Sequence, residues 1–311
     1  MTTRTVFAVA LGVVSLLGPS GSAFGSNDGI LLLAHGGRPE WNERVNAVAG
    51  ALNAERPVEV AFGMATRAAI QSAVDRLTAR GVSRIVAVPL FVSSHSSVVT
   101  STEYLLGLRA DMPADLRTFA RMSHGHGASH AAKDSSSADP DENLRPVRST
   151  VPIVMTDALN AHPLVADVLL SRAKAMSRAP EREAVILVAH GPVTDEANGR
   201  WLADMRILAE RIQSHARFGS IDYLTVRDDA PPAIRDRATA ELRTLVERRI
   251  VEGRRVLIVP LLLTYGGIEG GIRKRLEGLE YAMAEHALLP DDRIQEWVRV
   301  AAASKSGVQS R

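Results

Sequence analysis

The sequence predicts an α/β protein made of two tandem repeats, each a small parallel sheet flanked by helices. Three observations carry that expectation. Ile30-Leu-Leu-Leu-Ala-His-Gly-Gly-Arg38 is an apolar run that stops abruptly in a histidine and two glycines. An apolar run of roughly four to eight residues closed by glycine fits a strand buried on both faces, as a parallel sheet requires. The same corner recurs in Val185-Ile-Leu-Val-Ala-His-Gly-Pro, so His190 repeats the position of His35. Finally, Val88-Pro89-Leu90 and Val259-Pro260-Leu261 match in register between the two copies.

The elements follow in order. After the first corner, Trp41 to Ala54 carries apolar residues at 41, 45, 48, 49 and 52, a helical spacing, and Pro57 closes it. Val58 to Met64 reads as the second strand. A helix capped by Thr66 runs through Leu77, with Ile70, Val74 and Leu77 on one face, and Gly81 stops it. Arg84 to Val92 forms the third strand and empties into Ser93-Ser-His-Ser-Ser. Strands alternating with helices of this length give βαβ units and a parallel sheet. Residues 123–150, rich in Ser, Asp and Pro with no apolar period, read as a mobile insertion. Val151 to Met155 is the fourth strand, and His162-Pro163 opens a helix to Met176, with proline at its first position.

Ser177 to Arg182 is the expected link between halves. The second copy starts at Glu183, with a helix over Ala197 to Ile212 and a strand over Ile221 to Val226. A helix follows from Pro231-Pro232 to Ile250, then a strand over Arg255 to Leu263. The shared register sets His95 opposite Gly266, beside Tyr265, so the second half keeps its first histidine and loses its second. Gly266-Gly-Ile-Glu-Gly-Gly lacks the spacing of a phosphate loop. The expected division is thus a leader over 1–25, a first unit over 28–180 containing the insertion, a second unit over 183–298 and a polar tail over 304–311.

Composition narrows the chemistry. The chain has 311 residues, 46% hydrophobic and 23% charged, with a formal charge of +2 and no basic run, which gives no footprint for nucleic acid. Cysteine is absent, so disulfides, thiolate metal sites and cysteine nucleophiles drop out. Any metal must use imidazole, carboxylate or thioether. Arg4, the apolar run Val6 to Leu17 and Gly-Ser-Ala at 21–23 have the layout of an export signal. The apolar run is short for a membrane span, and no cysteine follows it for a lipid anchor, so the expected location is periplasmic or secreted without a stable membrane anchor.

His35 and His95 fall at the carboxyl ends of the first and third strands, where open α/β sheets hold ligands. Either one alone is an ordinary turn or capping residue. As a pair, echoed at His190, they suit two uses: neutral imidazoles bind borderline Co²⁺, Ni²⁺, Fe²⁺ or Zn²⁺, and an imidazole accepts protons near neutrality. His124, His126 and His130 offer a loose accessory metal site. His162, His215 and His286 have no partner in the pattern and read as structural or surface residues. No Gly-x-Ser-x-Gly elbow occurs in the mature chain, and Ala34 stands where histidine phosphatases carry arginine.

Leu-Leu-Leu-Ala-His-Gly-Gly-Arg, Val-Pro-Leu-Phe-Val-Ser-Ser-His and Ala-His-Pro-Leu-Val-Ala-Asp-Val-Leu together resemble the sirohydrochlorin cobaltochelatases and ferrochelatases of the CbiX/SirB type, class II chelatases. The resemblance covers most of residues 28–298. It implies a lyase-type enzyme that inserts a divalent metal into a tetrapyrrole without ATP or an organic cofactor, with a cleft between the halves for the macrocycle. By resemblance His35 and His95 are metal ligands and proton acceptors. Arginines at the rim would meet the substrate's carboxylates, with Arg38, Arg44 and Arg67 as candidates in the first half and Arg227 and Arg273 in the second. The chain departs from the pattern at Met64, where the family often carries glutamate. A metal-binding or delivery protein without turnover is the rival reading.

Overall fold

A computed structural model of the chain describes residues 27–122 and 141–306. The expected leader and the His124, His126 and His130 cluster lie outside the described residues. In the first half, β1 (Asp28–Ala34), β2 (Val58–Phe62), β3 (Arg84–Pro89) and β4 (Ile153–Met155) form one parallel sheet in the order β2-β1-β3-β4. In the second, β5 (Glu183–Ala189), β6 (Ser220–Thr225), β7 (Arg255–Leu261) and β8 (Ala282–Met283) repeat it as β6-β5-β7-β8. Every residue of β1 and of β5 is buried, which is why these runs, after the acid that opens each, are continuously apolar rather than alternating.

The repeat is exact in the ladders. Leu33 pairs with Pro89 and Val188 with Pro260, each two residues before a corner histidine. The acids that open the two central strands pair with arginines opening the third. Asp28 meets Arg84 at 2.5 Å and Glu183 meets Arg255 at 3.0 Å, both acids being buried. Both corners turn on glycine with positive φ: Gly36 and Gly191 each have φ 78°. A Cβ at Gly191 would stand 2.5 Å from Cβ of Thr225, so only glycine fits there.

Helices fill the connections: α1 (Pro39–Asn53), α2 (Arg67–Ala79), α3 (Ser97–Leu105), α4 (Leu116–Met122) and α5 (Pro163–Met176) in the first half. The second half adds α6 (Asp195–His215), α7 (Pro232–Val251), α8 (Ile268–Arg275) and α9 (Asp292–Ser306). No helix among the described residues is long and apolar enough to cross a membrane. The expected link at Ser177–Arg182 is where the chain passes between sheets, yet the helices on either side of the division are exchanged. The first half's α5 lies against β7, and the second half's α9 lies against β3 and α1. One buried cluster therefore runs through both halves, from Ile30 and Val86 to Leu257 and Trp297. Separate clusters back the outer face of each sheet.

Two expectations change at the edges. Of the stretch 123–150 expected as a mobile insertion, residues 141–150 dock. They form a short 3₁₀ turn at Glu142–Leu144, and Val147 donates its amide to Leu105 O at 2.7 Å. Leu144, Val147 and Val151 pack on the outer cluster of the first sheet, an apolar anchor spaced too irregularly to show as a period. The polar tail expected from Ser304 begins as helix, because α9 runs to Ser306 and Arg84 donates to Lys305 O at 3.3 Å.

His162 is structural, as its isolation in sequence suggests. It caps α5, its Nδ1 accepting from the Leu164 amide at 3.2 Å. That bond needs an unprotonated nitrogen, and burial foremost, with Arg211 nearby, lowers its pKa below the ordinary 6.5. An imidazole whose folded pKa is depressed stabilises the fold above its unfolded value and loses that contribution as pH falls through the folded one. Thermal melts are therefore expected to lose stability as pH drops below 6.5. His162→Asn, which caps without titrating, is expected to lose less over the same range. Parallel melting curves for the two proteins would refute the assignment.

Candidate functional site

The first-half corner is built by β1 ending into Gly36. Asn42, on the first turn of α1, accepts from the Gly37 amide at 2.9 Å and fixes the loop. His35 stands exposed above it, with Nδ1 bonded to Gly36 O at 2.7 Å. A carbonyl only accepts, so Nδ1 holds the proton in the neutral ring and Nε2 presents its lone pair outward. The second loop leaves the neighbouring strand at the same end of the sheet, where Leu90 donates to Leu33 O at 2.8 Å.

His95 lies half-buried in that loop, its amide donating to Oγ of buried Ser93 at 3.1 Å. Asn160, at φ 42°, ties the loop down from below. Its Oδ1 accepts from the Ser94 amide at 2.7 Å and its Nδ2 donates to Ser94 Oγ at 3.0 Å. The β1 and β3 loops thus bring both histidines to adjacent carboxyl ends of one sheet. Among the described residues no three His, Asp or Glu side chains converge as a ready-made metal centre.

The second half reaches over this end. The indole of Trp201, on α6, donates to His95 O at 2.9 Å. Asp204, one turn further along α6, feels the His95 imidazole, and burial is the larger influence, raising the carboxyl above the usual range. Its Oδ2 is buried without a hydrogen-bond partner among the described residues. Neither residue was singled out from sequence, but a signal existed. Asp204 sits three after Trp201 and four before Leu208, so a carboxylate falls on the inward face of an amphipathic helix.

The arginines divide. Arg38 is exposed and its guanidinium makes no hydrogen bond or ion pair among the described residues, so it stays available beside His35. The other first-half candidates are spent on structure. Arg44 bridges the halves, its Nη1 donating to Thr264 Oγ1 at 3.1 Å and Leu289 O at 3.4 Å. Arg67 turns away to the docked segment, donating to Arg145 O at 3.0 Å and Glu142 at 3.4 Å. Buried Arg227, at φ 52°, clamps the β5 corner through Pro192 O at 3.1 Å and Asp195 at 2.5 Å, and also donates to Val193 O. Arg273 is exposed and acts on Tyr265 and Glu269.

In the second half the counterparts are engaged otherwise. His190 faces Asp229 at 3.5 Å. The Tyr265 hydroxyl donates to Ala284 O at 2.6 Å, and burial pushes its pKa up to about 12, which makes it a poor proton donor to any substrate. The Gly266 and Gly267 amides, which a phosphate would need, both donate to Glu269, at 3.0 and 2.9 Å. Met64 packs half-buried on the outer cluster of the first sheet.

Two parallel sheets in identical order, with histidine loops at the carboxyl ends of the first, define a chelatase-like α/β fold. Residues 29–176 match the CbiX family model, which places the family likeness in the first half. The sirohydrochlorin cobaltochelatase of Methanothermobacter thermautotrophicus is 34% identical over 83 residues, 26% of this chain. The chain spans 58% of that relative's length. SirB from Bacillus subtilis with Fe³⁺ superposes with a TM-score of 0.59 at 14% identity, over 90% of this chain and 96% of that one. DR2241 from Deinococcus radiodurans, a multi-domain protein with structural similarity to chelatases, gives 0.53 at 17% identity, over 92% of this chain and 56% of that one. These superpositions carry the fold.

Proposed function

We propose that the chain is a tetrapyrrole metal chelatase that inserts a divalent ion, Co²⁺, Fe²⁺ or Ni²⁺, into sirohydrochlorin or a related macrocycle. The observation that supports it best is the pair of histidine loops leaving adjacent strand ends within the segment that matches the CbiX family. Insertion replaces both pyrrole protons with the ion's two positive charges and strips its water. His35, with Nε2 outward, and His95 take up the protons and hand over the ion. Arg38 and Arg273 meet the macrocycle's carboxylates. The metal is a substrate rather than a resident cofactor, so two imidazoles that bind it loosely suit turnover better than a closed cage. The reading also includes export, from the layout of residues 1–25.

A delivery protein that holds the ion without inserting it is the second reading, favoured by Met64 packing where the family often carries an acid. Purified protein mixed with sirohydrochlorin and Co²⁺ separates the two by absorbance. Repeated turnover is expected. Metal uptake at fixed stoichiometry with no chelate formed would establish the carrier instead.

A further inference from the structure

The two first helices of the halves present the same pair of positions to the opposite half. On α1, Trp41 lies against Gly266 and Arg44, three residues on, donates to Thr264 Oγ1 at 3.1 Å. On α6, Trp201 donates to the carbonyl of His95, and Asp204, three residues on, lies within electrostatic reach of that imidazole. The repeat aligns Thr264 with Ser93 and Gly266 with His95, so Arg44 and Asp204 hold equivalent places under equivalent loops. Their fates differ. Arg44 spends its guanidinium on the protein, whereas Asp204 leaves Oδ2 buried with no donor among the described residues. A buried acceptor without a donor is costly, and native structures rarely keep one without a use.

We propose that Asp204 completes the His95 site from across the halves, its carboxylate receiving the divalent ion, directly or through a bound water, as His95 takes it. Opposite charge explains the pairing: a carboxylate stands beside the loop that carries His95, and a guanidinium stands under the equivalent loop, which has glycine in its place. This inference rests on the reading of His95 as a metal-handling residue.

The test is Co²⁺ titration by calorimetry at fixed pH, without tetrapyrrole, in full-length protein whose His124, His126 and His130 are alanine so that loosely held ions do not mask the site. Asp204→Asn keeps the shape and removes the charge, and it is expected to weaken Co²⁺ binding roughly 10- to 100-fold, the usual effect of losing a supporting group at a metal. His95→Ala is run beside it. Binding lost in His95→Ala but unchanged in Asp204→Asn overturns the role of Asp204 and leaves the histidine site standing. Binding unchanged in His95→Ala overturns the histidine site itself and the inference with it. A melting curve accompanies each variant, and Asp204→Ser gives the same readout should the asparagine variant melt early.

Discussion

Replacing His35 or His95 with alanine is expected to slow Co²⁺ insertion into sirohydrochlorin by ~10²- to 10⁴-fold, the range that a positioned acid–base group supplies. The expectation follows from what each ring does in the fold, which is little. The His35 ring is exposed, and its hydrogen bond goes to the carbonyl of its own neighbour Gly36. The His95 loop is held by backbone atoms, through Ser93 and Trp201, that alanine keeps. Stability should therefore move by no more than about 0.5 kcal/mol, as at ordinary surface positions. His190→Ala is the internal control, since that ring stands at the β5 corner of the second half against Asp229 and should leave the rate near wild type. A variant of His35 or His95 that inserts metal at the normal rate would remove that residue from the site.

Trp297→Ala is expected to produce the largest loss of stability, about 3–5 kcal/mol, as for other buried aromatics cut back to alanine. Trp297 is 2% exposed in the cluster that joins both halves, on a helix laid against β3 of the first sheet. Because that core is shared, the melt should fall as one transition, by on the order of 10 °C. Near- and far-ultraviolet signals should move together. Two separated transitions, with only one displaced, would show that the halves fold independently and that the exchanged helices do not bind them together.

The shared core also shows where sequence reading stopped. The ladders were legible because a strand buried on both faces must be apolar along its buried length, and β1, β3, β5 and β7 are apolar after the charged residue that opens each. The short α3, with Val98, Val99 and Thr100 in succession, gave no helical signal because β-branched residues favour strands. Its hold comes from burial of Val98, Val99 and Leu105. By contrast α9 was readable and unread: Ile294, Trp297, Val298 and Ala302 are spaced for one helical face, and all four are buried. The arginines show the limit most plainly. Nothing in the chain around Arg38, Arg44 or Arg67 tells the free guanidinium from the two that bond to Thr264 and Glu142.

By itself the sequence determined the strands from β1 to β7, the glycine corners, the doubled register and the two histidines at strand ends, because each depends on residues within a few positions of one another; the two-residue β8 is too short to show a pattern. Only the tertiary structure decided that α5 and α9 trade sheets and that Trp201 and Asp204 stand over His95. The Trp201 bond joins positions 106 residues apart, and such a pairing is chosen by how two sheets and their helices close on one core. No local period records that choice, since the same amphipathic face would pack equally well on either sheet.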